Sequence, residues 1–197
     1  MKTMLSIMLR FQRSVADLAG DCRGIAATEF AFIVPLMLVM FFGTVEISSG
    51  IAVDRKVTLM ARTLSDLTSQ SVSVSDNDLT NFFNASTGIM TPYTGTTNST
   101  ITELYVDPNT LAARVQWSQG SSPRATSSTV VIPTTLKVAG TYLIFSEANY
   151  KYVPTIGFVM AKAGITLSDV AYTRPRLSAC VIYPTPSSGS LPACPTL

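Results

Sequence analysis

Arg23-Gly24-Ile25-Ala26-Ala27-Thr28-Glu29-Phe30 opens directly onto FAFIVPLMLVMFFGTV, a run from Phe30 to Val45 without a single charge. A glycine closes a short basic leader, and one carboxylate then stands at the mouth of an apolar helix. A charged side chain in a bilayer segment costs roughly 2.5–3.5 kcal/mol on insertion scales, so such a group is usually kept for a partner. A cut after Gly24 would supply that partner as the new ammonium of Ile25, with Glu29 then the fifth residue. The other reading of the same charges is an ordinary signal anchor whose edge Glu29 marks.

Toward the N-terminus, Lys2, Arg10, Arg13 and Arg23 outnumber Asp17 and Asp21. The positive-inside rule puts this flank in the cytoplasm and the bulk of the chain outside. Met4–Leu9 is apolar but far too short to span. A secretory signal peptide needs its basic region followed at once by an apolar core and a small-x-small site. GTVEISSGIA, from Gly43 to Ala52, offers no clear site of that kind. The uncharged run falls short of the roughly 20 residues of a self-sufficient span. Adding Ile25–Thr28 and Ile47–Val53 lengthens it, provided Glu29 and Glu46 are tolerated near the ends.

Toward the C-terminus the helical signal continues. Val53, Val57, Met60, Leu64 and Leu67 make one apolar stripe, with Asp54, Arg55, Lys56, Arg62 and Asp66 on the other faces. The pattern predicts one long helix from Ile25 to about Ser69, membrane-embedded over about 28–50 and amphipathic beyond. Pro35 lacks the N–H that the helical ladder needs and should kink or loosen it, a break that membrane helices tolerate when neighbours satisfy the freed carbonyl.

Gly24, four residues, then Glu29-Phe30 resembles the processing site of type IV prepilins, with Phe30 where the major Tad pilin has Tyr. Ala27-Thr28-Glu29-Phe30-Ala31-Phe32, then Pro35, Gly43 and Glu46, resemble the first helix of TadE-like pseudopilins of the Tad/Flp (type IVc) pilus system. Tyr150-Lys151-Tyr152-Val153-Pro154 and Arg174-Pro175-Arg176 are similar to alphaproteobacterial members. The resemblance does not extend to the middle of the chain, roughly Ser71 to Val138. The resemblance implies cleavage by a prepilin peptidase between Gly24 and Ile25, and an assembly role for Glu29, Phe30 and Pro35. It implies as partners other Tad pilins and pseudopilins and inner-membrane platform proteins. The implied location is the bacterial inner membrane, single-pass, with the N-terminus cytoplasmic, the C-terminal domain periplasmic and incorporation into a pilus a further expectation. Adhesion and secretion are the roles that go with it.

The chain's 197 residues suffice for one modest domain plus an anchor, and a mean hydropathy of +0.34 is largely explained by one spanning segment. A net charge of +2 without a Lys/Arg-rich stripe gives no reason to expect nucleic acid as a partner. Histidine is absent, which removes the commonest general base and metal ligand. Cys22 lies in the leader; Cys180 and Cys194 bracket a Pro- and Ser-rich tail. In an oxidising compartment these two can pair, and closing a loop of about 15 residues is worth roughly 3 kcal/mol; otherwise they are two free thiols. Two thiolates without further ligands fall short of a zinc site.

Beyond the long helix, Ser75-Asp76-Asn77-Asp78 is a helix start, with a short helix through Leu79, Phe82 and Phe83 to about Asn84. Ile101–Val106 and Leu111–Trp117 flank the turn signal Asp107-Pro108-Asn109-Thr110 and predict a β-hairpin, with Ala113, Val115 and Trp117 on one face. Gln119–Thr129 reads as a polar linker. Thr141–Val153 and Ile165–Arg174 predict two more strands. Short connectors favour antiparallel pairing. The expected fold class is therefore α+β and pilin-like: a long N-terminal helix, transmembrane then amphipathic, packed on a small antiparallel sheet. The expected organisation is a cleaved cytoplasmic leader over 1–24, the helix over 25–70, and an extracytoplasmic domain with a Cys/Pro-rich tail over 71–197.

No Ser-His-Asp set, G-x-S-x-G, phosphate loop or metal-ligand cluster is present in the sequence. The sequence thus calls for no catalytic residues, no metal and no cofactor. Asp76 and Asp78 faintly suggest a calcium loop but lack its glycine and its distant Glu, so helix capping is the better reading. A pilus-assembly protein is the first expectation. A single-span anchored binding protein with an uncleaved N-terminus is the alternative, and a periplasmic enzyme is the weakest reading.

Overall fold

The structure is a computed structural model that describes residues 23–93, 95–153, 164–187 and 190–196. The leader through Cys22 lies outside the described residues, as does Pro154. The chain divides into two compact units, Met1–Val45 and Glu46–Leu197. One helix, α1 (Arg23–Ser69), is continuous in the backbone assignment and keeps Pro35 inside it.

In the first unit the described part of α1 is apolar and exposed. Residues 30–45 show no buried side chain, and Phe32 is 82% exposed. Such a surface is stable only in an apolar solvent or against a partner.

The second unit is α+β. The rest of α1 is followed by α2 (Asp76–Gly88) and by strands β1 (Thr97–Val106), β2 (Ala113–Gly120), β3 (Thr129–Val130), β4 (Tyr142–Tyr152) and β5 (Ile165–Thr173), with a 3₁₀ turn at Thr134–Leu136. They form a five-stranded antiparallel sheet in the order β3-β2-β1-β4-β5. Where the sequence predicts four strands, β3 adds a fifth at the end of the expected polar linker, from its last residue Thr129 to Val130. The strand β1 also starts earlier than expected, at Thr97, because Thr97 to Thr100 pair with Tyr150 to Glu147.

The apolar stripe of α1 makes the core. Val53, Val57, Met60, Ala61 and Leu64 are fully buried and pack with Ile101, Trp117, Ile144, Ala148 and Tyr150 of the sheet. Leu67, expected in this stripe, is only half-buried. The buried face passes instead to Ser65, Thr68 and Ser69. Their hydroxyls are satisfied, since Thr68 Oγ1 donates to Leu64 O at 2.8 Å and Ser65 Oγ to Thr173 Oγ1 at 2.7 Å. Across the interface Ser146 Oγ donates to Ala61 O at 2.6 Å, which fixes the helix on β4.

The opposite face of the sheet is also covered. Leu104, Val106, Ala113, Val115, Leu143 and Phe145 pack there against Ile132 and Leu136. Trp117 therefore does not share a face with Ala113 and Val115, as strict alternation predicts. The register slips between Glu103 and Leu104, where Trp117 pairs with the former and Val115 with the latter. The extra residue, Gln116, is a β-bulge, and an extra residue reverses every side chain beyond it.

Before α2, Ser75 forms a capping box with Asp78: its Oγ accepts the Asp78 N–H at 3.3 Å, and its own N–H donates to Asp78 Oδ2 at 2.9 Å. Of the two acids that faintly suggest a calcium loop, Asp78 is this cap and Asp76 accepts the Tyr183 hydroxyl.

Candidate functional site

Gly24, Ile25, Glu29, Phe30 and Pro35 all lie on α1 within the first unit. Four residues advance a helix by about 6 Å and return almost to the same face, so Ile25 and Glu29 stand one turn apart on one side. Ile25 is 56% and Phe30 67% exposed, and Glu29 is exposed as well. Among the described residues, a Cβ added at Gly24 would meet nothing within 4 Å.

Polar groups on this segment are answered locally. Thr28 Oγ1 donates to Ile25 O, and Thr44 Oγ1 to Met40 O, both at 2.8 Å. A hydroxyl tied to its own helix can enter hydrocarbon without an unpaired donor. Gly24–Ser69 is long and apolar enough to cross a membrane, with a best 18-residue mean hydropathy of 2.2. An exposed apolar helix with one carboxylate near its head is thus the geometry on which the function rests.

Residues 24–64 match the family model described as TadE-like protein. Over this segment the chain is similar to TadE-like proteins. No curated protein and no solved structure matches it. The family is one of Tad pilus-associated proteins, and the matched segment holds Gly24, Glu29, Phe30, Pro35 and the core stripe as far as Leu64. The sheet lies outside the matched segment.

A second cluster sits in the Glu46–Leu197 unit, where the C-terminal tail is strapped to the fold. Cys180 and Cys194 form a disulfide with Cα atoms 5.8 Å apart. Beside it the Val181 N–H donates to Glu103 Oε1 at 2.6 Å, and Trp117 Nε1 donates to Val181 O at 2.8 Å. Ile182 pairs in parallel with Ser73, and its carbonyl accepts the Val74 N–H at 2.9 Å. Gln119 Nε2 donates to Tyr183 Oη at 2.9 Å, and that hydroxyl donates to Asp76 Oδ1 at 2.6 Å. Arg176 pairs with Asp66 of α1. The strap joins α1, α2, β1 and β2 in one network.

Glu103 is the residue that sequence reading passed over. It is 1% exposed. Burial pushes its carboxyl up from 4.5 to about 8, against the Val181 N–H and the Trp117 indole, which pull it down. The signal was present: in Ile101-Thr102-Glu103-Leu104-Tyr105, position 103 shares the inward phase of Ile101 and Tyr105. The tyrosines around the sheet take different places. Tyr150 belongs to the core and Tyr183 to the strap, while Tyr172 stacks on Phe145 with ring centroids 4.8 Å apart.

Proposed function

We propose that this TadE-like chain is a minor pseudopilin that takes part in assembly of a Tad/Flp-type pilus and is not an enzyme. A prepilin peptidase removes the leader between Gly24 and Ile25 on the cytoplasmic side of the bacterial inner membrane. The matured chain spans that membrane once, with its sheet unit in the periplasm, and passes from the membrane into contact with other Tad pilins, pseudopilins and platform proteins. The observation that carries this reading is Glu29-Phe30, five residues beyond Gly24, at the head of an exposed apolar helix in a TadE-like segment.

The chemistry is electrostatic. A carboxylate in hydrocarbon costs a few kcal/mol, as does an unpaired ammonium. Neutralising Glu29 against the Ile25 amine, of the same or a neighbouring subunit, offsets the cost that each group alone would carry. Phe30 and the apolar face beyond it then supply packing area, and Pro35 frees a backbone carbonyl for a neighbouring helix to satisfy.

Glu29→Gln keeps size and helix propensity but removes the charge. The variant should insert and be processed normally, while surface piliation counted by electron microscopy falls by an order of magnitude or more, about 1.4 kcal/mol per factor of ten. Piliation equal to wild type would remove Glu29 from the assembly role.

A further inference from the structure

The first exposed charges on α1 after the apolar run are Asp54 and Arg55. The second unit nevertheless meets the helix closer to the membrane than that. Tyr152, the last residue of β4, donates its hydroxyl to Glu46 Oε2 at 3.1 Å, and its ring lies 3.9 Å from where a Gly50 Cβ would be. At 1.5 Å per residue, the Glu46–Gly50 level is about 6–12 Å nearer the membrane than Asp54.

The length of the apolar run decides what surrounds this level. Residues 30–45 supply about 24 Å of helix against a hydrocarbon layer of about 30 Å. The rest comes from both ends. Ile25–Thr28 adds to one, where the proposed Ile25 amine offsets Glu29, and at the other Glu46 is half-buried under Tyr152. That cover lowers the cost of carrying the span past Glu46. The longer span also takes in Ile47 and Ile51, which are 64% and 53% exposed on the outer face of α1. At the tip of the sheet, Val153 and Ile165 are 55% and 54% exposed, and Ile165 is the cross-strand partner of Tyr152. Lys56 reaches the same end, with its Nζ 5.9 Å from the Tyr93 ring centre. Tyrosine and lysine bordering aliphatic residues is the composition of a bilayer boundary.

We propose that this end of the sheet unit, formed by Ile47, Ile51, Tyr152, Val153 and Ile165, is a lipid-contact surface seated in the headgroup boundary of a phospholipid bilayer. Tyr152 shields Glu46 from the lipid there. The proposal rests on reading α1 as a membrane span.

The test uses the full chain in vesicles of phosphatidylethanolamine and phosphatidylglycerol. A photoreactive p-benzoylphenylalanine replaces Val153, Ile165, Leu38 or Val131 in turn, and adducts are read by mass. Leu38 lies within the apolar run and reports on the span itself. Val131 is 90% exposed and next to β3, which pairs with Ala113 at the end of the sheet opposite Tyr152. Lipid adducts at 153 and 165 comparable to those at 38, with none at 131, are the expected result. Adducts at 38 alone overturn the proposal, as do protein–protein crosslinks in place of lipid adducts at 153 and 165. No lipid adduct at 38 instead refutes the span reading beneath it.

Discussion

Replacing Glu103 with glutamine tests the strap from its centre. Glutamine keeps an oxygen to accept the Val181 N–H at the position of the 2.6 Å bond, and it cannot ionise. In the folded protein the carboxyl titrates near 8, against 4.5 ordinarily. Between these values the folded chain holds a proton that the unfolded chain has released, so stability falls as pH rises. The contribution is complete below about pH 4.5 and lost above about pH 8. At about 1.4 kcal/mol per pH unit, the loss across the window is of order 5 kcal/mol. For a chain of this size that is about 10 °C in Tm. Asp78 and Asp107 do not confuse the window. Hydrogen bonds from Ser75 and from the Asn109 N–H, respectively, hold them below the usual carboxylate range, so their contribution is present above about pH 4 and disappears only on further acidification. The assay is thermal unfolding of the full, oxidised chain in detergent micelles, followed by the fluorescence of Trp117, the sole tryptophan. Wild type should lose Tm from pH 5 to 9, while Glu103→Gln stays level and exceeds wild type at pH 9. A wild-type Tm that rises over that range, or equal slopes in the two proteins, would refute the reasoning.

Other variants probe the remaining supports. Cys194→Ser opens a loop with a sequence separation of 14 residues and should cost roughly 3 kcal/mol in the same melt; reductant should bring wild type to the same Tm. Leu64→Ala leaves a cavity at a fully buried position between α1 and the sheet, and a loss of 2–5 kcal/mol is expected in denaturant titration. Ser75→Ala removes the capping box of α2 and should cost about 1 kcal/mol; no change would mean that the α2 start is held by tertiary contacts instead.

The long helix and the α+β class were legible because they rest on periodicity. Val53, Val57, Met60 and Leu64 repeat every three or four residues, and nothing else in the chain competes with that signal. The face of Trp117 was not legible, because a bulge at Gln116 depends on pairing with β1 and leaves no mark in β2 itself. The two-residue β3 is also too short to carry an alternating pattern, and it exists because Ala113 and Arg114 offer it an edge. At the candidate site, Gly24 and Glu29 stand out as a glycine and a lone carboxylate before the uncharged run, while the roles proposed for them and for Phe30 come from the resemblance. The pairing of Tyr152 with Glu46 could not be read in the sequence, since the two lie 106 positions apart and meet only when β4 packs on α1. The Val181–Glu103 bond was hidden for the same reason, although the inward phase of Glu103 could be read in β1.

The central claim is that a prepilin peptidase cuts this chain after Gly24, and intact mass of the membrane-extracted protein from its native host tests it most directly. Comparison of strains with and without the peptidase should show loss of Met1–Gly24 only where the enzyme is present, and Gly24→Ala should abolish that loss. A full-length chain in both strains would contradict the claim and leave a signal-anchored binding protein in its place.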